Sequence, residues 1–419
     1  MTKRKIILGE YLKFEKGISV PRDRLSITNN IAYLHYGDIY KIYNHVVDID
    51  KEIDNILKIS TDEKYKKTQL LKDGDIVYNL TSESVDDLGK AVYIRNPNNI
   101  SFVSGMETTI MRVTDKSILL PEYLNYILST YKFKCLLRQY VTGMKVYRVH
   151  PRDIGRIEIE VPDINEQKKI IDILNPFNDK IELNNQMNQT LEEIENLLYK
   201  RWFVDFEFPD DKCNPYKSSG GEMVDSELGM IPKGWEVKEL GEFITLINGY
   251  AFKSGSYSKD GNYKIITIKN VLDNKFITNS TNKILEIPDN VIENQKLKIG
   301  DVLISLTGNV GRVCVVTEGE CLLNQRVAKI ISKIEVNKYY WRTFFNTEEI
   351  KIKMINISKG TAQSNLSTIE IMKIKILNSK EVTYNFSEKI KAISKKKLQN
   401  EIMILNIEMI KQKLLEELV

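Results

Sequence analysis

The chain has 419 residues, 42% of them hydrophobic, and 61 Lys and Arg against 57 Asp and Glu leave a net charge of +4. That apolar share supports real cores and excludes wholesale disorder, and at roughly 100–200 residues per domain the length gives two or three domains. The four cysteines (Cys135, Cys213, Cys314, Cys321) form no C-x-x-C pair and His35, His45 and His150 are scattered, which excludes a structural zinc site and a disulfide scaffold. No stretch approaches about 20 continuous apolar residues, and the N-terminal MTKRKIILGEYLKF offers only IIL as a signal-peptide core. The expectation is a soluble cytoplasmic protein with no membrane partner.

In chain order, residues 1–160 read as one strand-rich unit. LGEY (8–11) opens it and Gly17 follows. LKDGDIVYNLT (71–81) and GKAVYIR (89–95) contain short β-branched runs bounded by Gly, Asp and Asn, the signature of strands. A helix is expected over 121–139. The polar glycine loop VTGMKVYRV (141–149) comes next, and then an alternating strand carrying Ile154, Ile157 and Ile159.

Residues 161–206 read as a helical spacer. Asn175-Pro176 punctuates it, so a short helix is expected to stop near Leu174, with Asn175 capping a longer one. From Pro176 to Phe203 that helix would span about 42 Å at about 1.5 Å per residue. Its seam runs Phe177, Ile181, Asn184, Asn188, Leu191, Glu195, Leu198, Trp202, with Met187 and Ile194 widening it. The polar members make an imperfect heptad, as for a helix with more than one neighbour. Residues 207–231 are polar with Gly and Pro and read as a linker.

The second unit, 232–380, repeats the landmarks of the first: LGEF (240–243) with Gly249, LKIGDVLISLTG (297–308), GRVCVV (311–316), a helix over 337–355, the loop SKGTAQSNL (358–366), and a strand carrying Ile371, Ile374 and Ile376. A period this long is a two-domain duplication rather than a solenoid. In both copies the glycines (Gly74 and Gly89; Gly300 and Gly311) are assigned to backbone geometry, and Asp75 and Asp301 to bonds within the turn. Residues 381–419 form a second helical spacer, with Ile390, Ile393, Leu398, Ile402, Leu405, Met409 and Leu414 on its stripe. Neither long helix can bury its stripe alone, and each is the simplest partner of the other. The fold expected is α+β: two similar strand-rich domains joined by two long helices packed antiparallel about a pseudo-two-fold. Such a rod holds the domains about one turn of B-DNA apart, roughly 34–36 Å, the spacing of half-site readers.

These stretches resemble the specificity (S) subunit of type I restriction–modification systems over nearly the whole chain. The resemblance rests on VPDINEQKKIIDILNPFNDKIELNNQ (161–186), RWFVDFEF (201–208), ELGMIPKGWEVKELGEF (227–243), ISLTGNVGRV (304–313), LLNQRVAKI (322–330) and KGTAQSNLS (359–367). It implies two target recognition domains, each reading half of a bipartite site in double-stranded DNA. It also implies two methyltransferase (M) subunits docked on the helices, through Phe177, Ile181, Met187, Leu191, Ile194, Leu198, Trp202, Ile402, Leu405 and Met409. A restriction and translocase (R) subunit completes the complex, and S-adenosylmethionine, ATP and Mg²⁺ belong to those partners. The sequence departs from the family pattern at Pro176 and at EVTYNFSEKIKAI, which lacks the E-Q of INEQKKI.

The residues themselves supply no catalytic box. No G-x-x-x-x-G-K-[ST] phosphate loop occurs. Asn175-Pro176-Phe177 and Asn214-Pro215-Tyr216 each lack the second proline of an adenine methyltransferase loop. Pro209-Asp210 with Glu236-Val237-Lys238 fits a metal-nuclease pattern only loosely. The reading is therefore a DNA-recognition chain with no catalytic, cofactor or metal residues; a self-contained nuclease or methyltransferase and a two-headed scaffold are the alternatives. Base edges are read by polar side chains and phosphates by Lys and Arg. The candidate readers in the first domain are Arg22, Arg24, His35, Tyr36, Asn79, Thr81, Ser82, Lys90, Lys145, Tyr147 and Arg148. In the second domain they are Lys253, Ser254, Lys269, Asn270, Thr307, Asn309, Arg312, Lys359, Thr361, Gln363 and Ser364.

Overall fold

A computed structural model describes residues 3–43, 45–85, 87–279, 281–358 and 365–419. The chain divides into two compact units, residues 1–181 with 406–419, and residues 182–405.

The first unit is built on a five-stranded sheet ordered Leu12–Lys16, Thr108–Val113, Ile76–Asn79, Ala91–Arg95, Val46–Asp48. Its central strand is IVYN, from the repeated phrase. Successive side chains of a strand point to opposite faces. Ile76 and Tyr78 accordingly enter one core with Met111, Tyr123 and Phe133, and Val77 enters another with Val92, Ile94 and Ile110. Both faces are covered, which is why the strand has no polar side. A smaller sheet (Lys58–Ile59, Ile31–Leu34, Phe102–Ser104) completes the unit.

The second unit repeats this plan. Its four-stranded sheet is ordered Ile244–Asn248, Val327–Ser332, Val302–Ser305, Val313–Val315. Val302 and Ile304 face an aromatic core containing Trp341 and Phe345, and Leu303 faces the opposite cluster with Ile266 and Leu323. The phrase forms the same turn in both units. Gly74 and Gly300 each sit at φ +86°. A Cβ is unfavourable there. The carboxylate of Asp75 accepts from the Lys72 N–H at 2.7 Å and that of Asp301 from the Lys298 N–H at 2.8 Å. Each also pairs with a cation on the neighbouring strand, Arg112 at 2.6 Å and Lys329 at 2.7 Å. Gly17 and Gly249 mark close backbone approach: an added Cβ would lie 1.8 Å from the Gly105 carbonyl oxygen and 2.2 Å from the Asn324 carbonyl.

The expected helices over 121–139 and 337–355 are each two helices. They run Pro121–Ser129 and Tyr131–Arg138, and Tyr339–Asn346 and Glu348–Ser358. Thr130 and Thr347, both extended, separate the members of each pair, and Thr130 caps the second helix by accepting from Phe133 N–H at 3.1 Å.

The break expected at Asn175-Pro176 is absent: one helix runs Ile164–Tyr199 with Pro176 inside it. Proline removes one N–H and strains the preceding turn. Pro176 and Asp172, whose carbonyl loses its partner, both lie on the exposed side, where water can satisfy that oxygen. Ile170, Ile171 and Leu174 are meanwhile buried in the first unit's core with Leu415 of the C-terminal helix. Asn175 is no cap. Its Oδ1 accepts from Tyr126 Oη at 2.7 Å and its Nδ2 donates to Glu122 Oε1 at 3.0 Å.

The C-terminal helix spans Lys380–Leu418. It runs antiparallel to the central helix within each unit. In the first unit Lys411 Nζ donates to Asn178 Oδ1 at 2.9 Å. In the second unit the polar members of the seam meet a polar partner. Glu195 is buried and accepts from Arg342 Nη2 at 2.6 Å, Lys397 Nζ at 3.1 Å and Ser394 Oγ at 2.5 Å. Asn400 Nδ2 donates to Asn188 Oδ1 at 2.9 Å. The segment expected as a linker is packed: Phe208 and Ile231 are buried in the second unit's core, as is Phe206 just before it, and 223–226 and 229–232 form a hairpin.

Candidate nucleic-acid interface

In the first unit the sheet brings several candidates to one place. Past the end of the central strand, Thr81–Ser82 pairs with Tyr147–Arg148 in a short antiparallel ribbon, Tyr147 opposite Ser82 and Arg148 opposite Thr81. Tyr40 Oη donates to the Thr81 carbonyl at 2.9 Å, and Lys90 Nζ donates to the Tyr40 carbonyl at 3.3 Å. Asn79 Nδ2 donates to the Tyr36 carbonyl at 3.2 Å, which ties the helix Tyr36–Lys41 to the same strand end. His35 caps that helix by accepting from Gly37 N–H at Nδ1, 3.1 Å. Burial pushes the His35 imidazole below its usual range, and Arg22 and Lys41 push the same way against Asp38. His35 is therefore neutral near pH 7, as its accepting nitrogen requires.

The exposed members of this face are Arg22, Tyr36, Lys145 and Arg148. Arg24 is exposed but paired with Glu63 at 3.2 Å. Asn79 is fully buried and Thr81 nearly so. Their side chains frame the face instead of projecting from it, a correction to the sequence expectation for both.

The second unit carries the equivalent arrangement. Thr307 bridges Asn365 in antiparallel fashion, with their Oγ1 and Oδ1 at 2.8 Å. Leu366 N–H donates to the Leu306 carbonyl at 2.7 Å, as Val149 N–H donates to Leu80 at 3.1 Å. A cleft of about 390 Å³ opens beside this bridge, lined by Asn248, Thr307, Gln325, Arg326, Asn365 and Thr368 among others. Gln325 and Arg326 are exposed there. They were missed as candidates, although they lie in the quoted stretch LLNQRVAKI. The available signal was their position directly before a repeated strand, at the level where Thr307 leaves its own.

Arg312 is part-buried and pairs with Asp273 at 3.6 Å, and Lys351 reaches the other oxygen of Asp273 at 3.4 Å. With its carbonyl oxygen turned inward, Asn309 accepts from Arg312 Nη2 at 3.0 Å. Lys253, Ser254 and Lys269 are exposed on other loops. Asn270 is buried, and its amide is spent internally on Thr267 N–H at 2.8 Å, the Ile277 carbonyl at 2.8 Å and Thr281 Oγ1 at 2.9 Å. It holds a turn and offers nothing outward, which corrects its assignment as a reader. Lys359, Thr361, Gln363 and Ser364 lie outside the described residues.

On the helices, Ile181 and Trp202 are buried, Trp202 edge-on to Phe386 with ring centroids 5.5 Å apart. Their side chains serve their own unit, so neither presents a docking contact as expected. Phe177, Met187, Leu191, Leu198, Ile402 and Leu405 are part-buried, while Ile194 and Met409 are exposed. Ile173, Leu183, Leu197, Met403 and Ile410 add exposed apolar positions that the seam did not flag. Asp210, the loose nuclease candidate, ties a turn by accepting from Lys212 and Asn214 N–H at 2.9 and 2.8 Å. No helix among the described residues is long and apolar enough to cross a membrane.

Comparison with known proteins matches the same duplicated region. The family model for the type I restriction modification DNA specificity domain matches residues 8–193 and again 232–378. The HindI specificity subunit of Haemophilus influenzae is 26% identical, over 89% of this chain and 90% of its own length. The MjaVIII specificity subunit of Methanocaldococcus jannaschii is 24% identical, over 93% and 91%. Among solved structures, a type I restriction–modification S subunit from M. genitalium has the same fold at a TM-score of 0.50 and 13% identity, covering 100% of this chain and 96% of that one.

Proposed function

The chain belongs to the type I restriction modification DNA specificity domain family, and from this premise we propose that it is the DNA-reading subunit of a type I restriction–modification complex. Each unit reads one half of a bipartite site. The helix pair fixes the gap between the halves and carries exposed apolar side chains on which two methyltransferase subunits dock. Methyl transfer, with extrusion of the target base from the stack, belongs to those subunits together with S-adenosylmethionine. ATP- and Mg²⁺-dependent cleavage belongs to the restriction subunit. This chain is itself non-catalytic and acts in the cytoplasm.

The observation that carries the reading is the paired construction of the two faces. Thr81 with Arg148, and Thr307 with Asn365, emerge from equivalent strand ends on equivalent scaffolds. Polar and cationic side chains on a rigid sheet edge suit base-edge and phosphate contacts. The test is coexpression with the cognate methyltransferase followed by mapping of genomic methylation. A split motif with a fixed gap is expected, and a continuous motif would overturn the two-reader arrangement. Methyl transfer by the purified chain alone, with duplex DNA and S-adenosylmethionine, would overturn the non-catalytic assignment. Duplex binding that does not weaken with salt would favour the non-DNA scaffold.

A further inference from the structure

We propose that the first unit reads its half-site partly by deforming the DNA, with Met144 as an apolar wedge entering a base step; this rests on the DNA-reading assignment above. Met144 is 92% exposed and Val146 43% exposed. They do not sit on a slack loop. Thr142 and Arg148 exchange both backbone hydrogen bonds, at 2.9 and 2.8 Å, and close the loop at its neck. Gly143, at φ +98°, folds the tip so tightly that a Cβ there would lie 2.1 Å from the Val146 carbonyl oxygen. The neck is then anchored to the sheet by pairing with Thr81–Ser82. A large apolar side chain is thus held out into water on a clamped support, beside the exposed cations Lys145 and Arg148. Single exposed apolar residues are ordinary. One that is held on a closed loop beside cations matches the combination used to unstack and kink a duplex.

The duplicated unit supplies an internal control. Leu80 N–H donates to the Glu107 carbonyl at 2.9 Å, as Leu306 N–H donates to Arg326 at 2.9 Å. That correspondence places Met106, which is 54% exposed, where the second unit has Gln325. The loop sequences place Met144 opposite Thr361. Met106 is therefore apolar where the second unit has a polar residue, and the aligned loop sequences change in the same sense at Met144. Thioether side chains make no hydrogen bond that distinguishes base edges, but they fill space between or beside bases, and the energetic response depends on how easily a step unstacks.

The experiment uses the full chain assembled with its methyltransferase and a duplex containing the mapped motif. 2-Aminopurine is placed in turn at each position of the half-site assigned to the first unit, leaving out the adenine that the methyltransferase itself extrudes. Wild type is expected to raise the fluorescence at one step. Met144→Ala should abolish that rise and weaken binding by about tenfold, a loss of one unstacked step's worth of contact. Met144→Leu should retain both. A mismatch placed at the same step, which lowers the cost of unstacking, should restore binding to Met144→Ala. No rise at any position with wild type, or a rise and affinity unchanged in Met144→Ala, would overturn the wedge while leaving the DNA-reading assignment intact. Failure of wild type to prefer the motif duplex over an unrelated one would overturn that assignment and the wedge with it.

Discussion

The two units hold the same scaffold to different ends. In both, a Gly at φ +86° and an Asp bonded back to its own turn start a doubly buried central strand, and the chain leaves that strand at a Thr. Beyond the Thr they part. The first face carries Met106, Met144 and Arg148, and the second Gln325, Arg326 and Asn365. The helix pair differs too: near the first unit it closes over Leu174 and Leu415, and within the second it encloses Glu195, Arg342 and Lys397. Buried scaffold tolerates little change, because each substitution costs packing or an unpaired charge. Strand tips in water can vary without disturbing the sheet, so a change of recognised sequence needs no change of fold.

The largest break is expected at the polar part of the helix pair. Glu195→Ala strands Arg342 in a buried site, leaves Lys397 only its 3.6 Å pair with Glu192, and should cost about 3–5 kcal/mol, read as a lower urea midpoint for the second unit. If both units lost stability equally, the division of labour along the helices would be wrong. Next come the paired turns. Asp75→Ala and Asp301→Ala should each cost about 2 kcal/mol, since each carboxylate serves one backbone N–H and one cation. Strongly unequal losses would contradict the equivalence of the two scaffolds.

A pH titration sharpens the contrast further. Burial raises the Glu401 carboxyl to about 7, against the pull of Arg342 and Lys397 and with the push of Glu192 and Glu195. A carboxyl raised in the folded state binds more protons folded than unfolded, so its contribution is fully present below its unfolded pKa of about 4.3. It is lost as pH rises to about 7. Glu401→Gln should flatten the fall in stability over that window, measured by thermal unfolding at fixed ionic strength. The smallest effect expected is at Arg22: replacing this exposed cation with Ala should reduce the slope of log K against log salt by about 1 without changing the motif.

Much of this scaffold is legible in the sequence because it repeats. The phrases at 71–81 and 297–308 announce the strand, the turn glycine and the turn Asp with no partner needed. Pro176 misleads because local propensity is outweighed by burial of Ile170, Ile171 and Leu174 around it. Glu195 looks like a flaw in a heptad until Arg342, from a distant helix, appears beside it. Asn270 looks like a free amide, since the sequence carries no sign that its bonds are met internally, and nothing in the sequence marks Asn79 as buried. Gln325 and Arg326 pass unremarked because a polar pair before a strand resembles any solvated turn.

The central claim is that two different readers share one chain, one for each half of the site. Mapping methylation in cells that express the methyltransferase with Arg148→Ala or with Gln325→Ala tests it directly. Each variant should relax specificity in a different half of the motif, with discrimination lowered by about 1–3 kcal/mol at the affected position, and leave the other half and the gap unchanged. Relaxation of the same half by both variants, or a changed gap with both halves intact, would contradict it.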